Sequence, residues 1–195
     1  LFLGLGAGDI VVRPQIAYPT YDIGAQLVGA TPIAADELSQ LTDEQRAKVK
    51  LIWVNSPGNP TGKVRDVQSL AEIVRQAREL GAVVASDECY AELGWGEVRD
   101  QVPSILDPRV NGGNLDDLFA LYSLSKQSNL AGYRAAFIAG APNLMPALVN
   151  GRKHAGMIVP GPIQHAMVVA LNDEEHVRVQ YDVYRARREA LAPAL

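Results

Sequence analysis

The chain has 195 residues, 48% of them hydrophobic and 21% charged, with a net charge of −4. That balance excludes a disordered tail, a collagen-like repeat and a coiled coil, and the scattered basic residues leave no nucleic-acid footprint or polybasic membrane patch. A single cysteine, Cys89, three dispersed histidines and no long apolar run point to a soluble, cytoplasmic protein with no metal site and no membrane span.

The chain opens Leu1-Phe2-Leu3-Gly4 without Met and closes at Ala192-Pro193-Ala194-Leu195, and both ends read as interior segments of something larger. Gly4-Leu5-Gly6-Ala7-Gly8-Asp9 begins like a dinucleotide-binding loop, but Asp9 stands where the third glycine belongs. The run also precedes a strand instead of following one, so it reads as a turn. Ile10-Val11-Val12 is the first strand, a weakly apolar helix follows near Ile23–Val28, and Thr31–Ala34 is the second strand. Lys50–Val54 is a third, running into the turn-rich Asn55-Ser56-Pro57-Gly58-Asn59-Pro60-Thr61-Gly62. Residues 66–80 form a helix, because Val67, Leu70, Ile73, Val74, Ala77 and Leu80 recur at three- and four-residue steps before Gly81. Ala82–Ala85 is a buried-type strand, followed by Ser86-Asp87-Glu88-Cys89-Tyr90, and Gly94 to Asp117 reads as loop. Leu118–Tyr122 and Arg134–Ala139 are strands, and helices are expected over Pro142–Arg152, Pro162–Asn172 and Glu174–Leu191. Strands alternating with helices predict an α/β fold, a three-layer sandwich around a mainly parallel sheet.

In such sheets ligands sit beyond the carboxyl ends of the strands. Asn59, Asp87 and the run Ser123-Leu124-Ser125-Lys126 all fall there. A lysine just past a buried strand lies in a partly desolvated cleft, where its amine is easier to deprotonate and forms a Schiff base with an aldehyde. Ser123 and Ser125 can hydrogen-bond a phosphate, and Arg134 can grip it with a planar fork. Together these groups describe anchoring of pyridoxal 5′-phosphate. Taken singly, each has a plainer reading. Lys126 alone would be a loop lysine, Asp87 a helix N-cap, Asn59 ordinary turn chemistry, Tyr90 and Tyr18 packing residues, and Arg134 half of a surface ion pair. Cys89 has no histidine near it in sequence and reads as a small buried hydrophobe, not a nucleophile.

The ordered triple of Asn55–Gly62, Ser86–Tyr90 and Ser123–Lys126 with Gly132-Tyr133-Arg134 resembles the signature segments of class I/II, fold-type I pyridoxal-phosphate aminotransferases. The resemblance covers nearly the whole chain. It implies that Lys126 binds the cofactor aldehyde, that Asp87 pairs with the pyridine nitrogen, and that Tyr90 and Asn59 hydrogen-bond the 3′-oxygen. It further implies that Ser123, Ser125 and Arg134 hold the phosphate, and that Tyr18, rather than Tyr21, stacks on the ring. Residues 1–172 would then be most of the pyridoxal-phosphate-binding large domain, and 173–195 a helix leading toward a small domain. The family's upstream glycine/serine loop and its C-terminal carboxylate-binding arginine find no counterpart, so the chain alone is expected to be a poor catalyst. Family members work as homodimers on small amino acids and 2-oxo acids. Within the family, Leu121–Phe137, His154–Pro160 and Tyr18–Gly24 look like actinobacterial succinyldiaminopimelate aminotransferases, which exchange an amino group between glutamate and N-succinyl-2-amino-6-oxopimelate. Gln127 and Asn129 are candidates for substrate carboxylates, with loop hydrogen bonding as the alternative. Aspartate or histidinol-phosphate aminotransferase, a C–S lyase on the same fold and a non-catalytic binding fragment are the other readings.

Overall fold

The computed structural model describes residues 3–156 and 158–194. Leu1, Phe2 and Leu195, on which part of the reading of the chain ends rests, lie outside the described residues, as does Met157 of the His154–Pro160 segment.

Six strands form one sheet: β1 (Ile10–Arg13), β2 (Thr31–Ala34), β3 (Val49–Asn55), β4 (Val83–Asp87), β5 (Leu118–Ser123) and β6 (Ala136–Gly140), in the order β2-β1-β3-β4-β5-β6. All neighbours are parallel except β5 and β6. Among the described residues, eight α-helices accompany them: α1 (Thr20–Leu27), α2 (Asp43–Arg46), α3 (Val67–Leu80), α4 (Pro108–Asn111), α5 (Leu124–Gln127), α6 (Met145–Ala155), α7 (Gly161–Leu171) and α8 (Glu174–Leu191). The single turns α2 and α4 went unread in the sequence, α6 starts three residues later than Pro142, and β6 begins at Ala136 instead of Arg134.

The sheet separates two apolar layers by the period of two along each strand. Ile10, Val12, Ile52, Val54 and Val84 face Leu70, Val74 and Ala77 of α3, whereas Val11, Leu51 and Ala85 face Ala25 of α1. Asp66 starts α3 by accepting the Ser69 N–H at 2.7 Å, and Gly81 ends it in the left-handed region at φ 62°. Three layers result, as the alternating pattern predicts. Leu124, Ala135 and Met167 make a smaller cluster that fastens α7 against the turn after β5.

Register decides where the chemistry falls. Asn55 pairs with Asp87 and Asp87 with Leu121, so β3 and β4 finish level, β5 runs two residues further, and their following loops open on the same edge. The order reverses at β1, whose neighbours are β2 and β3. A crevice at such a reversal is where open parallel sheets take their ligands.

Candidate active site

Asp87 is the last residue of β4, and its carboxylate is held on both oxygens. Oδ1 accepts the Cys89 N–H at 3.2 Å, and Oδ2 accepts the Tyr21 hydroxyl at 2.7 Å. Tyr21 lies on the first turn of α1, buried, and its ring stacks on Trp53 of β3 with centroids 4.6 Å apart. Burial, and next the negative charge of Asp87, push the Tyr21 hydroxyl well above the ordinary phenol range, so it stays protonated and remains a donor. The same two causes push the Cys89 thiol up to about 12, which leaves it un-ionised and inert as a nucleophile.

Lys126 sits in α5, the single turn that follows β5, with its Nζ 5.8 Å from the Tyr90 ring centroid. Lys126 and Asp87 also both act electrostatically on Cys89, which places the amine and the carboxylate near the same thiol. Ser123 caps α5: its Oγ accepts the Ser125 N–H at 3.2 Å and lies 2.8 Å from Ser125 Oγ. Arg134 closes the short turn before β6 with φ 53°, a left-handed conformation that costs a residue with a Cβ on the order of 1–3 kcal/mol. Its guanidinium is exposed and donates to the Ala131 carbonyl at 2.9 Å. Ala136 pairs with Ser123 in the sheet, which sets Arg134 two residues from the register position of the serine pair.

Asn59 stands in the loop after β3, half-buried, and its N–H donates to Asn55 Oδ1 at 2.7 Å. The amide nitrogen of Asn55 donates in turn to the Asp87 carbonyl at 3.1 Å and to Pro57 O at 3.2 Å, tying this loop to the end of β4. Tyr18 lies just before α1 with its ring 53% exposed, able to cover a ligand without disturbing the core.

The structure therefore brings Tyr90 and Lys126 together at the sheet edge where Asp87 ends β4, pairs Ser123 with Ser125, and sets Asn59 in the loop after β3 and Arg134 in the turn before β6. Gln127 goes elsewhere: it is buried and accepts the Tyr122 hydroxyl, so of its two readings loop hydrogen bonding is the one observed. The sequence reading missed Tyr21 as the partner of Asp87 and Asn55 as the tie between loops. The spacing of Tyr21 from Tyr18, one helical turn, was the available signal. Gly4–Asp9 is the expected turn, with Asp9 Oδ2 accepting the Gly6 N–H at 2.9 Å. Among the described residues no cluster could hold a metal ion and no helix is long and apolar enough to cross a membrane.

A lysine amine, a carboxylate held by two donors, two adjacent hydroxyls and an exposed guanidinium are the donor set that pyridoxal 5′-phosphate needs at its aldehyde, ring nitrogen and phosphate. Comparison with known proteins agrees. The family profile of aminotransferase class I and II matches residues 1–195, and that family depends on this cofactor. A probable aminotransferase of Mycobacterium tuberculosis is 50% identical over 99% of the chain, which covers 45% of that relative. The 4-dedimethylamino-4-oxo-anhydrotetracycline transaminase OxyQ of Streptomyces rimosus is also 50% identical over 99% of the chain and 52% of its own length. The LL-diaminopimelate aminotransferase of Aquifex aeolicus is 34% identical over 96% of the chain and 50% of its length. Among solved structures, an aminotransferase from Neisseria meningitidis superposes with a TM-score of 0.88 at 28% identity, over 98% of this chain and 52% of that one. The N-succinyldiaminopimelate aminotransferase of Mycobacterium tuberculosis shares the fold, with a TM-score of 0.82 at 24% identity over 98% of this chain and 52% of that one. The chain thus spans about half the length of the relatives it matches.

Proposed function

This chain belongs to the class I and II aminotransferases, and from that premise we propose that the intact protein moves an amino group between glutamate and N-succinyl-2-amino-6-oxopimelate. The observation that carries the transamination reading is the Lys126 amine 5.8 Å from the Tyr90 ring at the same sheet edge as Asp87. When bound, pyridoxal phosphate supplies an electron sink for the substrate Cα–H bond. The chain does the rest. Lys126 anchors the cofactor, then takes the Cα proton and returns it one position along, a general acid–base role for a positioned amine. Asp87 would pair with the protonated ring nitrogen, and the Tyr21 hydroxyl keeps that carboxylate aimed. Tyr90 and Asn59 would hydrogen-bond the ring oxygen, and Tyr18 would cover the ring. Ser123, Ser125 and Arg134 bind the phosphate, the guanidinium giving the charge-assisted and strongest of these contacts.

In this reading residues 1–172 are most of the cofactor-binding domain, α8 leads toward a small domain, and the protein acts as a cytoplasmic homodimer. The substrate rests on the likeness of Leu121–Phe137 and its flanking segments to succinyldiaminopimelate aminotransferases, with diaminopimelate aminotransferases among the relatives in support. A second acceptor class is favoured by the 50% identity to OxyQ, whose name gives a polycyclic ketone as its substrate. The test is to incubate the full-length protein, loaded with pyridoxal phosphate, with glutamate and each acceptor, and to measure 2-oxoglutarate. Faster turnover of the succinylated oxo acid supports the proposal. A marked preference for the polycyclic ketone, or for the oxo compounds corresponding to histidinol phosphate or aspartate, overturns the substrate, and borohydride fixing the cofactor to Lys63 or Lys153 overturns the site.

A further inference from the structure

The helix α8 carries a face that the reaction as described does not use. Val177, Tyr181, Tyr184 and Arg188 recur at four-, three- and four-residue steps and so lie along one side of the helix. From that side the Tyr184 hydroxyl donates to the Lys126 carbonyl at 3.1 Å. One turn earlier the buried Tyr181 hydroxyl donates to the Gly94 carbonyl at 3.0 Å, in the segment that follows Tyr90. Tyr181 also packs on Trp95 with ring centroids 4.6 Å apart, Arg99 lies 4.2 Å over the Tyr181 ring, and Arg188 lies 5.1 Å over Trp95. At the start of the helix His176 Nε2 is 2.8 Å from Ser128 Oγ, while its other ring nitrogen is 3.2 Å from the N-cap Asp173.

Two loops with different origins are thereby fastened to one rigid rod. The loop after β4 carries Tyr90, and the turn after β5 carries Lys126. A single-turn helix such as α5 has almost no intrinsic stability, since it fixes several dihedrals for one or two hydrogen bonds. Its place must come from outside. The carbonyl of Lys126 itself is a direct point of control, because moving it moves the root of the amine.

We infer that α8 is a positioning element for the lysine, with Tyr184 and His176 holding the Lys126 turn and Tyr181 holding the Tyr90 loop, so that the helix sets the spacing between amine and phenol. The inference rests on the proposed function for its chemical meaning, and its mechanical part is readable without cofactor.

The experiment uses the full-length protein with Tyr184→Phe, Tyr181→Phe and, as a control on the exposed side of α8, Arg187→Ala. In the cofactor-free protein, Tyr184→Phe should speed hydrogen exchange of the amides of residues 126–130 about fivefold, the scale of one neutral hydrogen bond. Tyr181→Phe should do the same for residues 91–95, and strand amides of β4 and β5 should hold in both. On adding pyridoxal phosphate, linkage to the lysine, followed by visible absorbance, should form about fivefold more slowly in Tyr184→Phe and at the normal rate in Arg187→Ala. Exchange unchanged within twofold, or raised uniformly across the chain, overturns the inference. If borohydride fails to fix the cofactor to Lys126 in the unaltered protein, the proposed function falls, while the exchange measurement still decides for or against the role of α8.

Discussion

Around Asp87 three adjacent acids and phenols solve different problems. Asp87 accepts from Tyr21 and the Cys89 N–H, and replacing it with Asn should slow Cα-proton removal by several orders of magnitude, measured by the deuterium-sensitive single-turnover rate. Tyr21→Phe leaves the charge and removes one donor, so the same rate should fall only about tenfold; equal losses would contradict this division of roles. Glu88, the next residue, is buried, and its carboxylate accepts the Ile105 N–H at 2.8 Å. Burial raises its pKa above the ordinary 4.5, against the lowering effect of the Ile105 amide and the Ser104 and Ser86 hydroxyls. The folded state therefore binds a proton more tightly than the unfolded chain, and stability falls as pH rises from about 4.5 through the raised value. Glu88→Gln removes that dependence. Urea midpoints taken from pH 4.5 to neutrality should show the unaltered protein losing ground steadily to Glu88→Gln, and parallel curves would show that Glu88 does not titrate in this window. The spacing of Tyr18 and Tyr21 did not by itself say which tyrosine meets Asp87, because that depends on α1 beginning at Thr20, which leaves Tyr18 outside the helix. The positions of Asp87 at the end of β4 and of Lys126 three residues past β5 were legible because both strands are apolar runs.

At the scale of elements, α3 shows how local pattern and packing agree. Leu70 is fully buried against the sheet, and Leu70→Ala should cost about 2–5 kcal/mol in chemical denaturation. The β5–β6 pair depends on a different restriction. Gly140 has φ 101°, and a Cβ there would lie 2.2 Å from the Leu118 carbonyl oxygen. Gly140→Ala should therefore cost about 3 kcal/mol and loosen the turn bearing Arg134, visible as a lower denaturation midpoint together with weaker phosphate-ester binding. Every strand was legible from a short apolar run, β-branched in β1, β3 and β4, yet the antiparallel sense of β6 was not, since a hydrophobic run has the same composition in either direction. The one-turn helices α2 and α4 are too short to display a period at all. Arg134 was legible by residue type, but its left-handed backbone was not, because only the demands of the following strand impose it.

Over the whole molecule, apolar exposure is uneven. Val149, Ile158, Val168, Val169, Leu171 and Leu191, all in the last third of the chain, are exposed, while the strands β1, β3 and β4 are well covered. Concentrated apolar surface of this kind drives association, so the 195-residue chain by itself should sediment as concentration-dependent oligomers, and a monodisperse monomer at ~100 µM would contradict that expectation. The sheet order has a consequence for the chain as it is made. The strands β3, β4, β5 and β6 are neighbours in the order in which they are synthesised, so each can dock beside its predecessor as it leaves the ribosome. The hydroxyl that holds the Lys126 carbonyl is added 58 residues after the lysine itself. A nascent chain can thus pair these strands before the Lys126 turn receives the bond from α8.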